Sequence, residues 1–343
     1  MLCAAGVSTV SGADPSHRRA GHAEGVMGKI KITAWLLILL LLLPAAAAAA
    51  TDNTTAIREY EYINGIKCKK RQNVITYLFM GIDEYGEVHE RADEDDIPGQ
   101  CDVLLLFVID QGADTAAVIP IDRNTVTDVH AISDYDGRDL GAFKMQIALA
   151  HTNGNGLEES CLVVTQAVSD LLLGVKIDKY AAVNMDAIGI LNHSVGGVTV
   201  TLEDDFSELD PEMTVGAAVH LSDTQAEYFV RGRMQIGDGS NTGRMRRQKQ
   251  YLEAIKPLFA EKYSADKSFP LDVAHSLSPY MVTDMTDKDF SYIAKALQQN
   301  TWLGSYEITG TEGIDKNGWI TLTPSEESIT DIVTTLFYRR MDA

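Results

Sequence analysis

Two short apolar runs dominate the hydrophobic pattern of the chain, Val74–Ile82 (VITYLFMGI) and Val103–Ile109 (VLLLFVI). Both are rich in β-branched and aromatic residues and too short for helices, so they predict strands buried on both faces. Ala116–Ile121 predicts a third strand, with the Gln111–Asp114 turn making a hairpin from the second. Glu158–Leu173 has helical spacing and stops at Gly174. Tyr180–Asn184 and Val198–Leu202 predict strands around a Met185–His193 helix, with Gly196-Gly197 turning the chain back. Ser222-Asp-Thr-Gln225 is a capping box that opens a helix through about Val230. Arg244–Tyr263 predicts a helix broken or kinked at Pro257. Beyond residue 270 the pattern predicts a helix near Asp287–Gln298 and strands near Trp302–Thr309 and Trp319–Leu322. A last helix opens at Thr323-Pro-Ser-Glu326, with threonine as the cap and proline at the first position. Strands and helices interleave throughout, which predicts an α/β or α+β fold, a sheet with helices packed on it.

The amino terminus follows a different pattern. Lys29 and Lys31 precede an uncharged stretch, Ile32–Ala50, with Leu36–Leu43 at its centre and an alanine run at its end. A basic start, an apolar centre and small residues at the end make a secretory signal, and the length also suits a membrane anchor. Either places residue 51 onward outside the cytoplasm. Residues 1–26 show no periodicity, and Met27 is a natural start, so this leader reads as a mis-called one. The expected organisation is therefore residues 27–50 as signal or anchor, 51–73 as linker, 74–264 as the main domain and 265–343 as a carboxy-terminal extension packed on it.

Charge narrows the chemistry. The chain of 343 residues carries a formal charge of −20, which argues against nucleic acid as a partner. Cys68, Cys101 and Cys161 fit no zinc spacing and allow at most one disulfide beyond the leader. Against this acidic background, Arg231–Lys249 holds six basic residues and one acid, Asp238. In an extended segment Arg231 and Arg233 would point the same way, and Arg244, Arg247, Gln248 and Tyr251 share one helical face. Such a set can offer several guanidinium forks to a pyrophosphate, although a solvated helix face has the same composition. Asp83 ends the first strand and Asp102 precedes the second. If those strands pair antiparallel, two carboxylates meet at one sheet edge, where phosphate oxygens and water could complete a Mg²⁺ site. Asp residues at strand ends also serve simply as turn formers. Arg123 and Lys144 complete the candidate set.

The order of these pieces resembles the LytR-CpsA-Psr family: Gly81-Ile-Asp83, Asp102, Arg123-Asn-Thr125, Lys144, Gly196-Gly-Val198, Arg231-Gly-Arg233 and Arg244-Met-Arg-Arg247-Gln248. The resemblance covers roughly residues 74–260. It implies an extracytoplasmic, membrane-associated enzyme of the bacterial envelope, a central sheet flanked by helices, and an apolar pocket for a polyprenyl chain. It also implies transfer of a glycopolymer phosphate, wall teichoic acid or capsule, from a polyprenyl-pyrophosphate carrier to peptidoglycan. Asp83 and Asp102 would hold Mg²⁺, and Arg231, Arg233, Arg244, Arg247 and Gln248 would bind the pyrophosphate. Arg123, Asp122 and Lys144 would act beside it.

The chain departs from the family pattern at five positions. Tyr85 and Gln100 stand where arginines are usual, Asn124 and Asn241 where aspartates are usual, and Gln146 replaces an asparagine. The candidates to replace the lost acids are Asp122 and Asp238. These departures leave open a catalytically weakened envelope protein that binds lipid-linked pyrophosphates or scaffolds wall assembly.

Overall fold

The computed structural model describes residues 60–341 apart from 93–94, 133–137, 233–235 and 238–240. The amino-terminal signal or anchor, Arg233 and Asp238 lie outside the described residues. Among the described residues, no helix is long and apolar enough to cross a membrane.

In chain order, the first half contains β1 (Glu61–Ile63), β2 (Ile66–Lys70), β3 (Val74–Ile82), β4 (Cys101–Asp110), β5 (Thr115–Ile121), β6 (Val126–Ile132), β7 (Asp139–Gln146), α1 (Glu158–Leu171), β8 (Lys179–Val183) and α2 (Ala187–Val195). The second half continues with β9 (Val198–Thr201), β10 (Ala218–Leu221), α3 (Asp223–Arg231), α4 (Asn241–Ala265), α5 (Phe269–Leu277), β11 (Met281–Thr283), α6 (Asp287–Gln299), β12 (Thr301–Ser305), β13 (Gly310–Ile314), β14 (Ile320–Pro324), α7 (Glu326–Phe337) and β15 (Tyr338–Arg340).

A six-stranded sheet ordered β11-β8-β3-β4-β5-β12 forms the centre. It is mixed: β3 pairs antiparallel with β4 and parallel with β8, and β12 joins β5 in parallel. Alternate side chains of the two apolar runs feed different cores. Tyr77, Phe79, Leu105 and Phe107 pack with residues of α2, α3, α4 and α6. Leu78, Met80, Leu104 and Leu106 pack on the opposite face with α1 and α7. Covering both faces explains why these strands read as unbroken apolar runs, since each such side chain contributes about 1.5–3 kcal/mol on burial.

Several differences from the expected elements have physical causes. Residues 61–70, expected as linker, form β1 and β2, and β2 pairs with the carboxy-terminal β15. Residues 265–343 supply β11 and β12, the two edges of the central sheet. Helix α4 runs through Pro257, which is exposed, so water can satisfy the carbonyl that the missing N–H leaves behind. The last helix is capped by Ser325, whose side chain accepts from Ser328 N, and not by Thr323, because Thr323 and Pro324 are held in β14 against β13. The Ser222 capping box forms as expected. The Gly196-Gly197 turn has φ of 88° and 90°, and a Cβ on Gly197 would collide with the His220 ring, so only glycine fits there.

Candidate active site

The antiparallel pairing of β3 and β4 brings Asp83 and Asp102 to one edge of the sheet. The register slips between Gly81 and Ile82, where Ile82 lies opposite Cys101 and Gly81 opposite Val103. A Cβ on Gly81 would stand 2.9 Å from Val103 Cβ, so glycine permits the close approach that aligns the two acids. β8 runs parallel to β3, and both strands end here, at the carboxyl edge where open α/β sheets bind ligands.

A cavity of about 170 Å³ opens at this edge. Its interior is apolar, with Ile82, Val103, Val183, Met185, Ile188, Leu191 and Val230 in its walls. Its polar lining consists of Asp83, Asp102, Asn184, Arg231, Arg244 and Gln248. The cationic and amide groups come from two helices: Arg231 is the last residue of α3, and Arg244 and Gln248 lie one turn apart on one face of α4.

The two carboxylates are each met by a guanidinium. Arg123 Nη1 lies 2.5 Å from Asp102 Oδ1, while Arg123 Nη2 donates to Gln100 Oε1. The Asp102 contact is a charge contact without hydrogen-bond alignment, because the same Oδ1 is buried and lacks a hydrogen-bond partner. Burial raises the pKa of Asp102; Arg123 opposes the rise, Asp83 adds to it, and Arg244 again opposes it. Arg231 Nη2 lies 3.5 Å from Asp83 Oδ1, and its guanidinium sits 4.2 Å above the centre of the Tyr85 ring. Burial lowers the pKa of Arg231 and Asp83 counters it, yet a guanidinium stays charged at any physiological pH.

Other expected site residues are placed elsewhere. Arg247 is 2% exposed and turned from the cavity: Nη1 is 2.6 Å from Asp204 Oδ2, Nε donates to Phe229 O, and Nη2 donates to Gly232 O. The helical face expected to carry a single anion clamp is thus split, with Arg244 and Gln248 toward the cavity and Arg247 riveting α4 to the end of α3. Arg231 is helical, not extended, so the expected alternation with Arg233 does not apply. Lys144 is exposed and pairs with Asp128 across the β6–β7 hairpin at 2.9 Å, away from the cavity lining. Asp122 turns its Oδ1 back to Asn124 N at 2.8 Å and its carbonyl to Thr125 N, forming the turn into β6. Two departures from the family pattern touch retained arginines: Gln100 holds Arg123, and Tyr85 underlies Arg231. Gln146 donates to Asn124 Oδ1 and to Ile320 O, tying the third departure to the fourth.

The profile of the LytR_cpsA_psr family matches residues 41–337. The chain belongs to the LytR-CpsA-Psr family. Among curated LytR-CpsA-Psr proteins, it is 28% identical over 191 residues to the polyisoprenyl-teichoic acid–peptidoglycan teichoic acid transferase TagV of Bacillus subtilis, covering 54% of this chain and 44% of TagV. It is 27% identical over 194 residues to TagU of Bacillus mycoides, which bears the same transferase description, covering 56% of this chain and 55% of TagU. The chain thus spans about half the length of the curated relatives it matches. The crystal structure of B. subtilis TagV superposes with a TM-score of 0.52 at 24% identity, over 78% of this chain and 96% of that one, which shows a shared fold.

Sequence reasoning placed the charged lining but not the apolar one. Met185, Ile188 and Leu191 read as ordinary core positions of a helix, and only the strand ends beside them could have marked a cavity. Asn184, which lines the cavity, carried no motif signal.

Proposed function

We propose that the chain binds a polyprenyl-pyrophosphate-linked glycopolymer and transfers its glycan phosphate to peptidoglycan outside the cytoplasm. One observation carries this reading: a single cavity joins an apolar interior to a lining of two carboxylates, two arginines and a glutamine. An isoprenoid end and a pyrophosphate head need those two environments side by side. The descriptions of TagV and TagU, both polyisoprenyl-teichoic acid–peptidoglycan transferases, support the same substrate class. The described cavity is close to the ~150 Å³ that holds a benzene, so it admits one end of an isoprenoid and not a whole long chain.

The donor set at the lining suits Mg²⁺. Asp83 and Asp102 supply hard oxygens at one edge, and Asp102 Oδ1 keeps its lone pairs out of any aligned hydrogen bond. Among the described residues, no cluster of three His, Cys, Asp or Glu could cage a metal. This is the usual Mg²⁺ arrangement, in which water and substrate phosphates complete the shell. Bound there, Mg²⁺ would neutralise charge on the phosphate oxygens. Arg231, Arg244 and Gln248 bind the non-bridging oxygens, and Arg123 opposes the rise in pKa that burial gives Asp102. The apolar walls exclude water from the phosphoanhydride, which strengthens every charge contact at the mouth.

A second reading, a binder that does not turn over, is favoured by the lining itself: among the described residues its carboxylates are Asp83 and Asp102. If both serve the metal, neither is left to take the proton of an attacking sugar hydroxyl. The deciding experiment is incubation of the full chain with farnesyl pyrophosphate and Mg²⁺, reading both binding and release of farnesyl phosphate. Mg²⁺-dependent binding with cleavage, both lost in Asp102→Ala, supports transfer. Binding without cleavage supports the second reading, and unchanged binding in Asp102→Ala would refute the metal assignment.

A further inference from the structure

Tyr85 stands where the family pattern has an arginine, and the structure gives it a defined surrounding. The loop that carries it is stitched to the end of β8 on both sides. Met185 N donates to Glu84 O at 3.0 Å, Gly86 N donates to Asp186 Oδ2 at 2.8 Å, and Asn184 Nδ2 donates to Gly86 O. These bonds fix the backbone before and after Tyr85, while its side chain remains 54% exposed. The ring carries the Arg231 guanidinium 4.2 Å from its centre. A second contact of that guanidinium, Asp83 at 3.5 Å, is longer than a charge-assisted hydrogen bond and involves a carboxylate half open to water. A flat aromatic face held on a pinned loop therefore supports Arg231 at the cavity that it lines, and stacking on the ring leaves the edge N–H groups of a guanidinium open to other partners.

We propose that Tyr85 is a positioning residue: it holds Arg231 in the orientation that receives the pyrophosphate, in place of a second arginine at that point. This rests on the pyrophosphate-binding reading of the site. The aromatic face, and not the phenol hydroxyl, is the working part.

The test uses the full chain, with inorganic pyrophosphate and Mg²⁺ as the probe and two readouts. The first is the NMR resonance of the Arg231 Nε–Hε group, assigned by Arg231→Lys, whose ring-current shift reports stacking on Tyr85 without any ligand. The second is the pyrophosphate dissociation constant. Tyr85→Ala is expected to abolish the ring-current shift and to weaken binding about five- to thirty-fold, the range of a partly desolvated cation–π contact. Tyr85→Phe is expected to restore both, and Tyr85→Ala is expected to add nothing once Arg231 is already alanine. Equal affinity of wild type and Tyr85→Ala, with wild type binding normally, overturns the positioning role and leaves the binding reading intact. Failure of Tyr85→Phe to rescue overturns it too, by pointing to the hydroxyl. A wild-type chain that shows the ring-current shift but binds no pyrophosphate overturns the binding reading, and the positioning role with it.

Discussion

Arg247 offers the sharpest test of the tertiary structure, because motif order assigns it to the anion and the fold assigns it to the scaffold. Replacing it with alanine would remove four contacts at once. Asp204, 13% exposed in its side chain, would lose the guanidinium 2.6 Å away. The carbonyls of Phe229 and Gly232 would lose donors just where α3 ends. The guanidinium also lies 5.5 Å from the centre of the Phe206 ring, a contact that would become a void. Arg246 Nη2 still meets Asp204 Oδ1 at 2.7 Å and Oδ2 at 2.8 Å, so the loss falls at the low end of the roughly 3–5 kcal/mol that breaking a buried ion pair costs, with the orphaned carbonyls inside it. At roughly 2–4 °C per kcal/mol for a domain of this size, Tm should fall by about 6–12 °C. Urea denaturation followed by circular dichroism, alongside a thermal scan, measures the loss. Asp204→Asn combined with Arg247→Ala should cost less than the sum of the two single changes, since the pair is lost only once. A stability within ~0.5 kcal/mol of wild type, together with a large loss of pyrophosphate affinity, would show that Arg247 belongs to the anion and that this account of α4 is wrong.

Two further outcomes are expected. Leu191→Trp fills the apolar end of the cavity; it should abolish farnesyl pyrophosphate binding while sparing inorganic pyrophosphate, at a packing cost of about 1–3 kcal/mol, and isothermal titration with both ligands checks it. His151 is buried, with Nδ1 2.8 Å from Gly99 O, and burial lowers its pKa from 6.5 while that hydrogen bond and then Glu84 oppose the shift. The unfolded chain therefore binds the proton more readily than the folded one, so His151 makes stability fall as pH drops below about 6.5, a decline that His151→Gln should flatten in a series of Tm measurements.

The local elements were legible because their signals are local. Val74–Ile82 reads as a buried strand from composition alone, and the Ser222 capping box needs only four residues to specify where α3 begins. The pairing of Asp83 with Asp102 was legible conditionally: each lies beside an apolar strand, and an antiparallel hairpin-like neighbourhood makes them meet. The short strands were harder. β1, β2 and β15 have little apolar content, and they form a small separate sheet in which β15 pairs with β2 from more than 260 residues away in sequence. β6 and β7 were not anticipated, because the buried positions in and just before β6, Thr125, Thr127 and Val129, include only one strongly apolar residue.

The sequence by itself determined the strands and helices of the core, the acidic background, the basic segment and the family, because propensity, capping and motif order are properties of neighbours along the chain. Only the tertiary structure decided which arginines face a ligand. Arg244 and Arg247 are three residues apart on one helix and chemically identical, and a rotation of some 300° about the helix axis sends one to the cavity and the other to Asp204. What separates them is the position of Asp204, forty-odd residues away in sequence, and no pattern within α4 encodes it.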